Sequence, residues 1–168
     1  RLEDCGFSGV NNEPFSGLYG KYFSEQLERA GVGFSREVEL IKAAHKNNFF
    51  SVAWAMSNEE AARMAAAGAD VIGAMIGVTS GGLSGANKTI SLEEATDAVR
   101  QMIYAAKKEN PDVMVLTHGG PFADPDTAAY SIHHTEAVGY ASGSSGERIP
   151  TESAVIETTR EFKKISLS

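Results

Sequence analysis

The segment Val113 to Pro121, VMVLTHGGP, sets a histidine, two glycines and a proline at the end of an apolar run. His118 offers a titratable ring for acid, base or oxyanion-donor work, and Gly119 and Gly120 let backbone amides approach a ligand. A structural histidine and a plain tight turn are the competing readings. Further on, a second run, Ala137 to Ser142, breaks into Gly143-Ser144-Ser145-Gly146-Glu147-Arg148. Two strand ends with such short side chains suit a phosphate or carboxylate, because nothing bulky keeps the anion from the amides. Arg148 can clamp that anion with two parallel N–H donors while Glu147 holds it or accepts a proton; equally, the two form an internal ion pair that locks the loop. Gly143, Ser144 and Ser145 can donate to the same anion, but without a G-x-S-x-G elbow the serines are not read as nucleophiles.

Other segments carry weaker chemistry. Gly77 to Gly85 is a glycine-rich loop that can close over a ligand, with Thr79, Gly81 and Gly82 as its contacts. Gly82 to Thr89, GLSGANKT, falls one residue short of a phosphate-cradling G-x-x-x-x-G-K-T, with Asn87 where the second glycine belongs. Asn11, Asn12 and Glu13 follow the first apolar run and can bind substrate or a divalent ion through oxygen; capping a turn is the alternative. Trp54 is read as core, Cys5 as a packed helix residue, and His45, His133 and His134 as lying on solvated or dipole-favoured faces without metal spacing.

The elements that must position these residues alternate. Strand-length apolar runs occur at Ser8 to Asn12, Phe50 to Ala55, Asp70 to Ile76, Val113 to Thr117 and Ala137 to Ser142. Helical periods lie between them: Val38, Ile41 and Ala44; Ala61, Met64 and Ala65; Leu92 through Ala106; and a last one through Val155, Thr158, Phe162 and Ile165, with a short helix from Pro125 to His134. Ser57 with Glu60 and Ser91 with Glu94 spell capping boxes, Asp124 precedes Pro125 at a first turn, and Gly68 and Asn110-Pro111 mark stops. Alternating β and α units imply a parallel sheet with helical cover, either open and doubly wound or closed as a barrel. The first strand ends in Asn-Asn-Glu-Pro rather than a glycine-rich dinucleotide turn, and the glycine turns fall on the last two strands, where a barrel binds phosphate; barrel units are therefore expected. A closed (β/α)8 barrel takes about 250 residues, so five strands amount to about five-eighths of one.

Composition bounds the partners. The 168 residues are 42% hydrophobic and 22% charged, an ordinary globular balance. With 15 basic against 22 acidic residues, and no basic run beyond Lys107-Lys108 or Lys163-Lys164, the footprint of a nucleic-acid binder is missing. A single cysteine precludes an internal disulfide and fits a reducing compartment, no apolar stretch is of membrane-spanning length, and no leader-like segment opens the chain; a cytoplasmic address is expected.

The segments GFSGV at 6 to 10, GVGFSREVELIKAA at 31 to 44, AAAGADVI at 65 to 72, VLTHGGP at 115 to 121 and SSGERIPTE at 144 to 152 resemble the TIM-barrel family named for phosphoenolpyruvate hydrolase or signal transduction. That family also supplies the C-terminal module of plant tomato-mosaic-virus resistance proteins. The resemblance implies an α/β fold in which residues 1–168 form one partial TIM-barrel domain, carrying strands four to eight while three strands precede Arg1. It implies an enzyme of the phosphoenolpyruvate/pyruvate-barrel type acting by hydrolase or lyase chemistry on a small anionic 2-oxo or enol acid, or else a non-catalytic barrel that senses a metabolite or binds a protein in signal transduction. Mg²⁺ is the one cofactor it leaves open, with no ligand set transferred. A homo-oligomer, or the missing N-terminal barrel segment, is expected to cover the exposed strand edge.

Overall fold

The computed structural model describes residues 3–166. Five strands, β1 (Gly9–Asn11), β2 (Phe50–Ala55), β3 (Val71–Met75), β4 (Met114–His118) and β5 (Gly139–Tyr140), form one sheet in the order β1-β2-β3-β4-β5, and every pair is parallel. The helices are α1 (Gly20–Arg29), α2 (Phe34–Lys46), α3 (Asn58–Ala66), α4 (Leu92–Glu109), α5 (Pro125–His134) and α6 (Arg148–Phe162). The spatial order never reverses. Right-handed crossovers in an unreversed order put successive helices on the same face, so the doubly wound alternative, which needs a switch point, is set aside.

Burial along the strands agrees. Ala53 and Ala55 of β2, Ile72 and Ala74 of β3 and Val115 of β4 join Ile41, Met64, Val99 and Ile103 of the helices in one buried cluster. Val52, Trp54, Leu116 and His118 alternate onto the opposite face and are only half-buried, while Phe50 and Met114 on that face are exposed. Small helix-side residues let α3 and α4 seat closely on the sheet and on each other. On the other face Gly73 makes room for a large side chain. A Cβ there would lie 2.3 Å from the Trp54 ring, so only glycine lets the indole cross β3.

The caps set the helix positions. Ser91 and Glu94 make the reciprocal box, as do Asp124 and Thr127 with Pro125 in the first turn. Ser57 accepts the Glu60 amide, but the Glu60 carboxylate passes over the Ser57 amide and takes that of Met56 at 2.7 Å, so the expected second half of that box is not formed. Gly68, at φ 92°, ends α3: its amide reaches Ala65 O and that of Ala69 reaches Met64 O, a Schellman pair.

Four expectations change. Cys5 sits exposed in a single 3-10 turn, Glu3–Cys5, rather than packed in a helix. The last strand shrinks to Gly139–Tyr140 because it pairs on one side only. Helix α1, not expected from the sequence, forms without burying any residue fully and leaves Tyr22 and Phe23 exposed. Helix α6 does form where the final period lies, yet Val155 and Phe162, and Ile165 just beyond it, are exposed.

Candidate functional site

His118 is the last residue of β4, at the carboxyl end of the sheet where β/α proteins carry their chemistry. Its Nδ1 lies 2.6 Å from Ala141 O, just past β5. A carbonyl only accepts, so Nδ1 carries the proton in the neutral ring and Nε2 keeps its lone pair; among the described residues Nε2 has no hydrogen bond. The ring packs edge-on to Trp54 at 4.9 Å and stacks on Tyr140 at 6.4 Å, and Phe15 stacks behind Trp54 at 6.4 Å. A side chain at Gly143 would begin 3.5 Å from His118 Cε1, an ordinary contact distance that places the β5–α6 turn directly against the imidazole.

Gly119 and Gly120 have left-handed φ of 76° and 58°. The Gly120 amide donates to Gly77 O at 3.0 Å and its carbonyl accepts from Ser80, which ties the β4 turn to the loop after β3. A Cβ at Gly119 would sit 2.2 Å from Gly77 O, so close backbone packing accounts for this glycine directly. In that neighbouring loop Thr79 is buried and its carbonyl accepts from Ala86, while Gly81 and Gly82 stand exposed.

Arg148 opens α6. Its Nη1 lies 3.1 Å from Glu152 Oε1, and its Nη2 donates to Gly81 O at 3.1 Å. Glu152 Oε2 accepts the Leu83 amide at 2.7 Å, and that amide first, with Arg148 beside it, holds the Glu152 carboxyl below the usual carboxylate range. A Cβ at Gly82 would strike both Glu152 and Arg148. The structure thus brings Arg148, Gly81 and Gly82 together as a clamp on the glycine-rich loop. Glu147 is exposed and not part of that pair; its carbonyl accepts from Thr151 Oγ1. Ser145 is hydrogen-bonded to Tyr140 and Ser142, and Ser144 Oγ has no hydrogen bond among the described residues.

At the other end of the rim, Asn12 is buried with its amide fully occupied. Oδ1 accepts the Trp54 amide at 2.7 Å, and Nδ2 donates to Trp54 O at 3.2 Å and to Glu37 Oε2 at 2.6 Å. The side chain copies a peptide unit and carries the β1–β2 ladder past the strand end, while the local turn is capped by Asn11, whose Oδ1 accepts the Glu13 amide at 2.9 Å. Glu37 Oε1 takes the Ser16 amide at 2.7 Å. Burial, above all, raises the Glu60 carboxyl, the Met56 amide opposes the shift, and Glu37 and Glu59 add to it. A cavity of about 640 Å³ lies here, walled by Lys21, Glu25, Glu28, Glu59, Glu60 and Arg63. Among the described residues no three His, Cys, Asp or Glu side chains are grouped to hold a metal, so Mg²⁺ finds no ready ligand set in them and no step below uses one.

Trp54, read as core, instead stands half-buried on the face that carries His118, because the register alternates it away from the buried cluster. Glu60 is legible only as half of a capping box, and Tyr140, Glu37 and Glu152 are the residues sequence reasoning passed over; of these three only Glu152, four residues after Arg148 on one helix face, carries a local signal.

A parallel five-stranded sheet in unreversed order, with an imidazole and glycine turns at its carboxyl ends, defines an α/β protein compatible with part of a β/α barrel. Within that class the chain belongs to the phosphoenolpyruvate hydrolase-like family, whose model matches residues 1–165. It is 42% identical over 168 residues to the ToMV susceptible protein tm-1(GCR26) and to the ToMV resistance protein Tm-1(GCR237), both of Solanum lycopersicum, covering 99% of this chain and 22% of each relative. It is 32% identical over 165 residues to the "Putative transcriptional regulatory protein y4pA" of Sinorhizobium fredii, covering 98% of this chain and 27% of that protein. The chain therefore spans about a fifth to a quarter of the length of these curated relatives.

Proposed function

We propose that this chain supplies the rim-bearing strands, four to eight, of a (β/α)8 barrel that acts on a small anionic 2-oxo or enol acid by hydrolase or lyase chemistry. The carrying observation is His118, with Nδ1–H fixed on Ala141 O and Nε2 left as the one ring nitrogen open to a ligand. In this reading Nε2 takes a proton from the ligand or from an attacking water. The imidazolium that forms is stabilised by the Ala141 carbonyl on Nδ1 and by the indole of Trp54 beside the ring. Ser144 and the Gly143 turn face the anion; the Arg148 fork reaches it by exchanging Glu152 for the ligand, which frees the loop at Gly81 to Leu83. Glu147 lies beside that exchange as a second proton acceptor.

Barrel closure is part of the same proposal. Among the described residues three features lack cover: the half-exposed face bearing Trp54 and His118, the two outer strand edges, on β1 and β5, and the apolar side chains of α6. Further β/α units inserted between β5 and β1 would bury all three, as the whole of residues 1–168 forms one partial domain; failing that, a second copy would. We place the protein in the cytoplasm on its single cysteine, and no helix of the described residues is long and apolar enough to cross a membrane.

The test is His118→Gln in the full chain. Turnover of the acid that binds should vanish while binding persists, and unchanged turnover rejects the proton-transfer role. A second reading, a non-catalytic barrel that senses a metabolite or binds a protein, is favoured by the regulatory and resistance names of the relatives. A thermal-shift screen of small phosphorylated and carboxylated acids with and without Mg²⁺, followed by turnover assays on each hit, separates the two: binding without turnover supports the sensor.

A further inference from the structure

Tyr140 carries an arrangement that the proton-transfer reading does not itself require. Its Oη donates to Phe122 O at 2.8 Å, on the turn after β4, and lies 2.6 Å from Ser145 Oγ, on the turn after β5. Each hydroxyl has one proton. Since the Phe122 carbonyl only accepts, the tyrosine proton goes there, Ser145 donates to Tyr140, and Ser142, 3.1 Å from Ser145, donates to Ser145. The chain of hydroxyls therefore runs one way, from Ser142 to Phe122 O, with Tyr140 joining the two turns that flank His118. The same residue stacks its ring on the imidazole, and the residue after it supplies the carbonyl that fixes Nδ1.

We infer that Tyr140 is a positioning residue for His118: its hydroxyl pins the β4 and β5 turns together and so decides which imidazole nitrogen is presented. Ser145 is the second member of the pin. The inference rests on the role proposed for His118, but its consequence is a tautomer and can be read without turnover. Tyr140→Phe keeps the stacked ring and removes only the hydroxyl, leaving Phe122 O unpaired and Ala141 held beside β4 by its amide on Thr117 O alone, so that its carbonyl can drift from Nδ1. Ser145→Ala leaves the Tyr140–Phe122 bond in place and should loosen the turn less.

The full chain labelled with ¹⁵N-histidine supplies the readout, at a pH where the rings are neutral. The chain has four histidines, and His134 is an internal control because its Nδ1 bonds Tyr130 O at 2.8 Å, away from the pin. Wild-type His118 should be almost wholly the Nδ1–H form. The Nε2–H form should rise several-fold in Tyr140→Phe and less in Ser145→Ala, with His134 unmoved in both. A wild-type His118 tautomer in folded Tyr140→Phe overturns the inference. If that variant does not fold, an unmoved tautomer in Ser145→Ala overturns it instead, and a shift shared equally by His134 does so as well, since it reports general loosening. Turnover that survives His118→Gln removes the catalytic reading and leaves the tautomer result to stand or fall alone.

Discussion

The rim over β1 and β2 and the rim over β3 to β5 are built on opposite plans. The first is braced by side chains: Asn12 imitates a peptide unit, and Glu37 and Glu60 take backbone amides, so each of these polar groups is engaged. In the second, the β4 and β5 turns are braced by backbone and hydroxyls, Gly119 and Gly120 against Gly77 and Tyr140 against Phe122, and only the glycine-rich loop is gripped by a side-chain pair, Arg148 with Glu152. Because the two turns satisfy themselves through main chain and hydroxyls, they leave an imidazole nitrogen and the Ser144 hydroxyl without protein partners among the described residues. The first holds carboxylates in place, and their burial and mutual repulsion raise Glu60. The contrast teaches where a ligand can reach an imidazole nitrogen and a hydroxyl directly, with only the Arg148–Glu152 clamp to be exchanged.

The sharpest way to break the comparison is Gly119→Ala. A Cβ 2.2 Å from Gly77 O at a φ of 76° combines overpacking with left-handed strain, for a loss of about 2–4 kcal/mol and a fall in Tm of roughly 5–15 °C. A fall under about 2 °C would show that the β4 turn is not braced by close backbone packing. Next comes Asn12→Ala on the other rim, which strips partners from the Trp54 amide and carbonyl and should cost about 2–3 kcal/mol by denaturant unfolding. Asn12→Asp should cost more than Asn12→Ala at neutral pH, because it replaces the Nδ2 donors with a second carboxylate facing Glu37 and Trp54 O; an aspartate variant as stable as wild type would contradict the peptide-mimic role.

Glu60→Gln sharpens the electrostatic side. The folded pKa is raised, so the native state holds the Glu60 proton more tightly than the unfolded chain, and stability is lost as pH rises through and beyond the usual carboxylate range. Glutamine keeps an acceptor for the Met56 amide. The variant should melt higher than wild type at pH 7.5 and level with it near pH 4, and the reverse order counts against a desolvated carboxylate. The smallest effect belongs to Glu152→Gln, a local one. Hydrogen exchange at Leu83 should quicken with little change in Tm. In wild type, the lowered Glu152 pKa means that this clamp holds above the usual carboxylate range and loosens only as pH falls through the folded value. Unchanged exchange at Leu83 would show that Glu152 does not clamp the loop.

Sequence alone made much of the frame legible, because strand and helix signals act within a few residues: Ser91 with Glu94, Asp124 before Pro125, and Gly68 behave as their chemistry requires. Helix α1 does carry Tyr22, Phe23 and Leu27 on one side; it escaped because that stripe is short and no capping side chain marks its start. The length of β5 escaped because it depends on a neighbour, not on its own residues. In the site, His118 was visible as a strand-end histidine, but the face taken by Trp54 depends on a register that pairs it with Gly73 of a different strand. Arg148 pointed to an ion pair, yet with Glu152 one turn on rather than with adjacent Glu147. Asn12 offered oxygens in the sequence, and only the fold reveals that Trp54 and Glu37 already fill its capacity.

Trp54 is the only tryptophan in the chain, and its indole rests against the His118 ring. Imidazolium quenches indole emission far better than neutral imidazole does, so the protein carries an unlabelled optical gauge of its own proton carrier. A fluorescence titration, with His118→Gln as the blank, would follow that single ionisation directly, and any guest that seats beside the ring would announce itself in the same signal.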